Sequence, residues 1–212
     1  SGPPDRSYTP PQNTRPVSLT LMMLPSPSLL GLFFALSETY IGRTRRATKA
    51  NYTLKDQNSL RLLGIVIWSS IALAVLAAYF LPATRLPHYQ RCTLAGLCLF
   101  VPGITLRWYS IRILGQFFTV NVAIDTDHRL IETGPYRFIR HPSYTGALLA
   151  FLGLGLTMGN FASVALMIIP AFLVFRRRME IEEEALVGAF GDDYRAYMQR
   201  TKRLVPFVRS EE

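Results

Sequence analysis

Three groups of side chains in this sequence are suited to chemistry, and they lie well apart along the chain. The first is GPYRFIRHPSYTG, Gly134 to Gly146, where Tyr136, Arg137, Arg140, His141 and Tyr144 stand directly before an apolar run. The second is the acidic cluster Glu180, Glu182, Glu183 and Glu184, and the third is the basic set Arg200, Lys202 and Arg203. An arginine holds a carboxylate in a two-pronged grip without giving up its charge. Each group also has a plainer role. Arg176–Glu180 and Arg178–Glu182 are i,i+4 pairs of the kind that merely stabilise a helix, and Arg140-His141 ahead of Pro142 can anchor a helix start to lipid headgroups. With three histidines (His88, His128, His141), two cysteines (Cys92, Cys98) on poorly matched faces, and no HxxxH or CxxC spacing, neither a metal site nor a disulfide is expected.

The elements that must position these groups are apolar. Half of the 212 residues are hydrophobic, concentrated in nearly uncharged blocks at Ser18–Ile41, Leu62–Leu81, Thr93–Leu106, Tyr144–Met158 and Phe161–Phe175. The second block is long enough for a helix across a roughly 30 Å hydrocarbon core, the third reaches that length only with Arg107 to Leu114, and the last two are short. The reading is an all-α integral membrane protein of about five transmembrane helices. The net charge of +9 is carried by arginines and lysines at block edges. Arg43, Arg45, Arg46, Lys49, Lys55 and Arg61 fill one connection, only Arg85 and Arg91 the next, Arg112, Arg129, Arg137 and Arg140 the third, and Arg176 to Arg178 follow block five. The positive-inside rule then puts the N-terminus outside (lumenal) and the C-terminus in the cytosol, with endoplasmic reticulum and plasma membrane both suitable. Anionic headgroups account for these arginines, so no nucleic-acid partner is expected.

Along the chain, residues 1–16 read as a disordered Pro-rich tail and 17–212 as one domain. The first helix should start near Ser26-Pro27-Ser28. Pro102-Gly103 should kink the third, and Arg107 below it should face protein or a polar cavity unless it snorkels. FFTVNVAI has strand-like character and DTDH reads as a turn. Only Gly159-Asn160 separates blocks four and five, a tight helix 4–5 hairpin in which Gly153 and Gly155 read as close-packing positions. After Arg178 an amphipathic cytosolic C-terminal helix, or two, should follow with a break at Gly191. The hairpin brings the RHP segment and the glutamates to one surface.

His128 to Gly146, read as HxLIxTGPYRxxRHPSYTG, then a hairpin, then EExxLxxxFGxxYxxY (Glu182 to Tyr197) and RLVP (Arg203 to Pro206) resemble the isoprenylcysteine carboxyl methyltransferase family of integral membrane enzymes. The resemblance covers roughly 114–206, the expected catalytic half. It implies S-adenosylmethionine as cofactor, bound by His128, Tyr136, His141, Pro142, Tyr144, Glu182 and Glu183, with Gln116 carried over less firmly. It also implies that Arg140 and a C-terminal arginine, Arg200 or Arg203, face the acceptor, a lipophilic carboxylate in the bilayer.

Such an acceptor is already ionised at neutral pH, so methylation needs orientation and desolvation rather than a base. An amine N-methyltransferase of the same membrane group is the nearest alternative, but its site should prize a base over paired arginines. A sterol-reductase-like NADPH enzyme should have more helices. A membrane scaffold would use both clusters only as interfacial anchors.

Overall fold

The computed structural model describes residues 24–44, 57–118 and 129–206. The Pro-rich tail, most of FFTVNVAI, DTDH and His128 lie outside these residues. Six α-helices make up the described fold: α1 Pro27–Thr44, α2 Gln57–Phe80, α3 Tyr89–Leu114, α4 Pro142–Thr157, α5 Phe161–Phe190 and α6 Asp192–Arg200. Short 3-10 turns lie at Pro82–Thr84, Gly115–Phe117 and Gly134–Arg137, and no strand occurs among the described residues.

Local chemistry sets the helix ends. Ser26 caps α1 through Oγ, accepting from the Leu29 amide, with Pro27 at the first helical position. The α3 helix continues through Pro102 to Leu114, so Arg107 lies inside it. The sequence suggested a separate tail helix after Arg178. Instead α5 runs unbroken for 30 residues, about 45 Å at 1.5 Å per residue, because no glycine or proline interrupts it between Pro170 and Gly188. That is longer than a roughly 30 Å hydrocarbon core. Gly191, at φ 56°, ends it and turns the chain into α6.

The packing follows the small residues. α3 lies on α4, α2 on α5, and α4 on α5. A Cβ on Gly153 would sit 2.5 Å from the Gly96 carbonyl oxygen, and one on Gly103 would sit 2.6 Å from the Ala150 amide nitrogen. Only glycine permits backbones to approach so closely. Gly155 makes the corresponding approach to Val164 across the hairpin. Around these contacts the core collects Phe34, Phe100, Phe151, Leu154, Met167 and Phe175.

The outer faces are apolar too. Leu29, Phe33 and Leu36 of α1, Ile65, Leu73 and Leu76 of α2, and Ile169 and Leu173 of α5 are exposed. Exposed apolar faces of that kind mark contact with a membrane or with other protein. Two helical stretches, Arg61–Phe80 and Tyr89–Phe117, are long and apolar enough to cross a membrane by themselves.

At the hairpin turn, buried Asn160 ties three elements together. Its Oδ1 accepts from the Ser163 amide and the Thr84 hydroxyl, and its Nδ2 donates to the Leu81 carbonyl at 3.0 Å. Asn160→Ala removes a helix cap and strands buried partners, so it should cost about 2–3 kcal/mol. Thermal unfolding in detergent should show the loss.

Candidate active site

At the opposite end of α4 the backbone is arranged by pairing rather than by a helix. Gly134, at φ 59°, opens the 3-10 turn that buries Tyr136. The chain then runs parallel to residues 201–204. The Arg140 and His141 amides donate to the Lys202 and Arg203 carbonyls, and the Lys202 amide returns a bond to the Phe138 carbonyl. The Thr145 hydroxyl donates to the Leu204 carbonyl at 2.7 Å. The C-terminal segment is thus a strap across the start of α4. Pro142 takes the first helical position there, where a missing N–H costs nothing.

Two adjacent glutamates of α5 meet this wall with different company. Glu183, 5% exposed in its side chain, accepts from Arg140 Nε at 2.9 Å and from Arg203, and lies 3.0 Å from His141 Nε2. Arg140 Nη1 also donates to the Met198 and Thr201 carbonyls. Glu182 accepts from the Tyr144 hydroxyl at 2.6 Å and lies 3.2 Å from Arg178 Nε and 3.7 Å from His141 Nδ1. His141 therefore stands between the two carboxylates. Burial pushes the Tyr136, Tyr194 and Tyr197 phenols up, so they remain neutral donors.

Burial also pushes the Glu183 carboxyl up, but hydrogen bonds from His141, Arg203 and Arg140 outweigh it and hold the group well below the ordinary carboxylate range. A carboxyl held lower in the folded than in the unfolded state stabilises the fold above its unfolded value. That contribution is lost as pH falls toward the folded value. The melting temperature should therefore hold from neutral pH to about pH 5 and drop below about pH 4, and Glu183→Gln should flatten that acid limb.

A cavity of about 580 Å³ lies beside this network. Tyr136, Arg140, His141, Ser143, Tyr144, Arg178 and Glu182 form its polar wall, with Tyr194 and Tyr197 of α6. Phe34 and Ile41 of α1 and Leu63, Ile67 and Trp68 of α2 form its apolar wall. Of the residues singled out in the sequence, Tyr136, Arg140, His141, Tyr144 and Glu182 reach the cavity. Glu183, Pro142 and Arg203 stand behind it. Gln116 is exposed in the Gly115–Phe117 turn. Arg200 pairs with Glu132 and lies over the Tyr197 ring.

Arg107 belongs to the cavity wall as well. It donates through Nε and Nη2 to Glu38 of α1, both at 2.6 Å, and through Nη1 to Ser143. The sequence left Arg107 either against protein or a polar cavity or snorkelling to the interface, and Glu38 was not singled out. The available signal was a lone carboxylate in an apolar block, where ionisable groups are seldom idle.

Residues 95–188 match the model of the isoprenylcysteine carboxyl methyltransferase family. The matched segment is somewhat under half of the chain and is similar to that family. A protein-S-isoprenylcysteine O-methyltransferase of Schizosaccharomyces pombe is 36% identical over 122 residues, 57% of this chain and 50% of the relative. Enzyme A of that name from Arabidopsis thaliana is 28% identical over 185 residues, 84% and 89% of the two chains. The solved structure of the eukaryotic intramembrane Ras methyltransferase, isoprenylcysteine carboxyl methyltransferase, superposes with TM-score 0.64 at 26% identity, covering 86% of this chain and 65% of that one. The chain thus spans about half the length of the fission-yeast relative. The all-helical fold of the described residues matches that of the solved membrane methyltransferase.

Proposed function

We propose that this protein transfers a methyl group from S-adenosylmethionine to the carboxylate of a lipophilic acceptor of the isoprenylcysteine type. The observation that carries the reading is the two-sided cavity. Arginine, histidine and glutamate side chains on α3, on α5 and in the segment leading into α4 share it with the apolar faces of α1 and α2. A hydrophobic chain ending in a charge matches that division.

The donor set also fits the cofactor. A cavity of about 580 Å³ lies within the ~300–1,000 Å³ usual for small-molecule sites. Tyr136, Tyr144 and Tyr194 offer aromatic surface for the adenine. Glu182, aligned by Tyr144, suits the ribose hydroxyls or the sulfonium, and His141 suits the cofactor's own carboxylate. When bound, the cofactor supplies an electrophilic methyl group. His128, Pro142, Glu183 and Gln116 join this side of the site by resemblance, Glu183 acting through His141 and Arg140.

The chain itself holds two partners in line and excludes water. No residue has to remove a proton from an acceptor already ionised at neutral pH. Arg140 would supply fixed positive charge at the acceptor end. Of the two C-terminal arginines, Arg203 shares Glu183 with it and is better placed than Arg200 to support that role. Residues 17–212 would act as one domain, with 114–206 its catalytic half. In this reading α1 to α5 cross the bilayer. The N-terminal side lies outside and the Arg176–Arg178 end lies with α6 and the strap in the cytosol, by the positive-inside rule. Endoplasmic reticulum and plasma membrane both suit it.

Detergent-purified protein should bind S-adenosylhomocysteine saturably and ignore NADPH, and it should methylate a farnesylcysteine analogue in preference to an aminolipid. Failure to bind S-adenosylhomocysteine sinks the methyltransferase reading. Transfer to the aminolipid alone would reassign the acceptor as an amine.

A further inference from the structure

The Glu38–Arg107 pair is unusual in position. Its arginine is in the last third of α3, its glutamate on α1, and both line the cavity where the polar wall meets the apolar one. The arginine side chain is 10% exposed, whereas that of the glutamate is 27% exposed. Arg107 is held from behind by α4: Nη1 donates to the Ser143 hydroxyl at 3.1 Å and to the Ser143 carbonyl at 3.3 Å. Ser143 lies two residues after His141, so the guanidinium is anchored to the same helix start as the Arg140–His141 wall. The opposite edge, Nε and Nη2, is committed to a carboxylate in the two-pronged geometry that arginine favours.

We propose that Arg107 is a specificity-determining residue for the acceptor: its Nε–Nη2 edge takes the acceptor's terminal carboxylate in exchange for that of Glu38. This rests on the reading of the acceptor as a lipophilic carboxylate. Desolvating a new ion pair is expensive, and leaving a buried arginine without an anion is more so. Replacing one carboxylate by another at the same fork avoids both costs, because the buried charge count is unchanged. Glu38 is the partner able to leave, being the more exposed of the two and carried by the helix that forms the apolar wall. The exchange also discriminates. A neutral ester has no charge with which to displace Glu38, so the fork favours an unmethylated chain end over its methylated product.

The alternative is a purely structural tie of α1 to α3, in parallel with the Trp108–Ser37 hydrogen bond at 2.8 Å. Titrating the detergent-purified full chain with N-acetyl-farnesylcysteine and with its methyl ester separates the two. The wild-type protein should prefer the acid. E38Q weakens the internal competitor and should tighten acid binding by roughly three- to tenfold without moving the ester. R107Q should abolish the preference while S-adenosylhomocysteine binding persists. The exchanged double variant E38R/R107E should keep a near-wild-type melting temperature yet lose the preference for the acid. A structural tie gives a different pattern: E38Q lowers the melting temperature with the acid-to-ester ratio unchanged, and the double variant recovers the melting temperature and keeps the wild-type preference for the acid. That result overturns the proposal. So does a wild-type protein that binds acid and ester equally. If the wild type binds neither form, the isoprenylcysteine-type acceptor itself falls, and this inference with it.

Discussion

Glu183→Ala should release the C-terminal strap and abolish activity together. Three cationic or donor groups, Arg140, His141 and Arg203, converge on this carboxylate, and two of them are buried. Removing one partner of a buried ion pair typically costs about 3–5 kcal/mol, because the remaining charge is left uncompensated. The backbone pairing of residues 138–141 with 202–203 depends on the same arginines, so its loss should expose the segment after Tyr197 to proteolysis. The proposed methyl transfer should fall by at least about a hundredfold, since Arg140 and His141 lose their positions in the cavity wall. Glu182→Gln provides the contrast. Glu182 is more exposed than Glu183 and faces the cavity, so S-adenosylhomocysteine affinity should drop while the protease pattern stays that of the wild type. Limited proteolysis and titration on the same two preparations check both halves. Equal proteolytic release in the two variants would refute the division of labour between neighbouring glutamates.

That division was only partly legible in the sequence. The GPYRFIRHPSYTG stretch, the glutamates and the hairpin between them were readable because each is local. Gly159-Asn160 can be nothing but a turn between two apolar runs, and Pro142 marks a helix start by its missing N–H. The ranking of Glu183 over Glu182 was not readable. It depends on a helix phase that turns one carboxylate into the protein and the next toward the cavity, and α5 runs unbroken through the point where composition suggested a new element. The strap was hidden for a related reason. Residues 201–204 carry no strand signal, and their pairing with 138–141 is a long-range backbone match that side-chain patterns do not announce. Arg107 gave a visible anomaly, but its partner Glu38 lies 69 positions away on another helix.

Gly146→Val should cost both the fold and the site, because one glycine serves the two. A Cβ at Gly146 would stand 2.6 Å from the Gly103 carbonyl oxygen and 2.6 Å from the Arg107 amide nitrogen. Both obstacles are backbone atoms inside α3, so no side chain can swing aside, and the helices themselves would have to part. Overpacking that side chains can relieve costs about 1–3 kcal/mol, and this substitution should exceed that range. The separation would act first on Arg107. Its guanidinium reaches Ser143 and Glu38 only while α3 and α4 hold their present register. In a bilayer such close approach is also where helix association gains its van der Waals energy, since lipid offers no hydrophobic drive to replace it. Gly146→Ala, with the same Cβ but no branching, should fall between wild type and valine. The measurements are melting temperature in detergent and acceptor binding on each variant, read as a pair. A valine variant that melts near the wild type would mean that α3 and α4 are not in backbone contact at this level, and the register that brings Arg107 to Ser143 would have to be drawn differently.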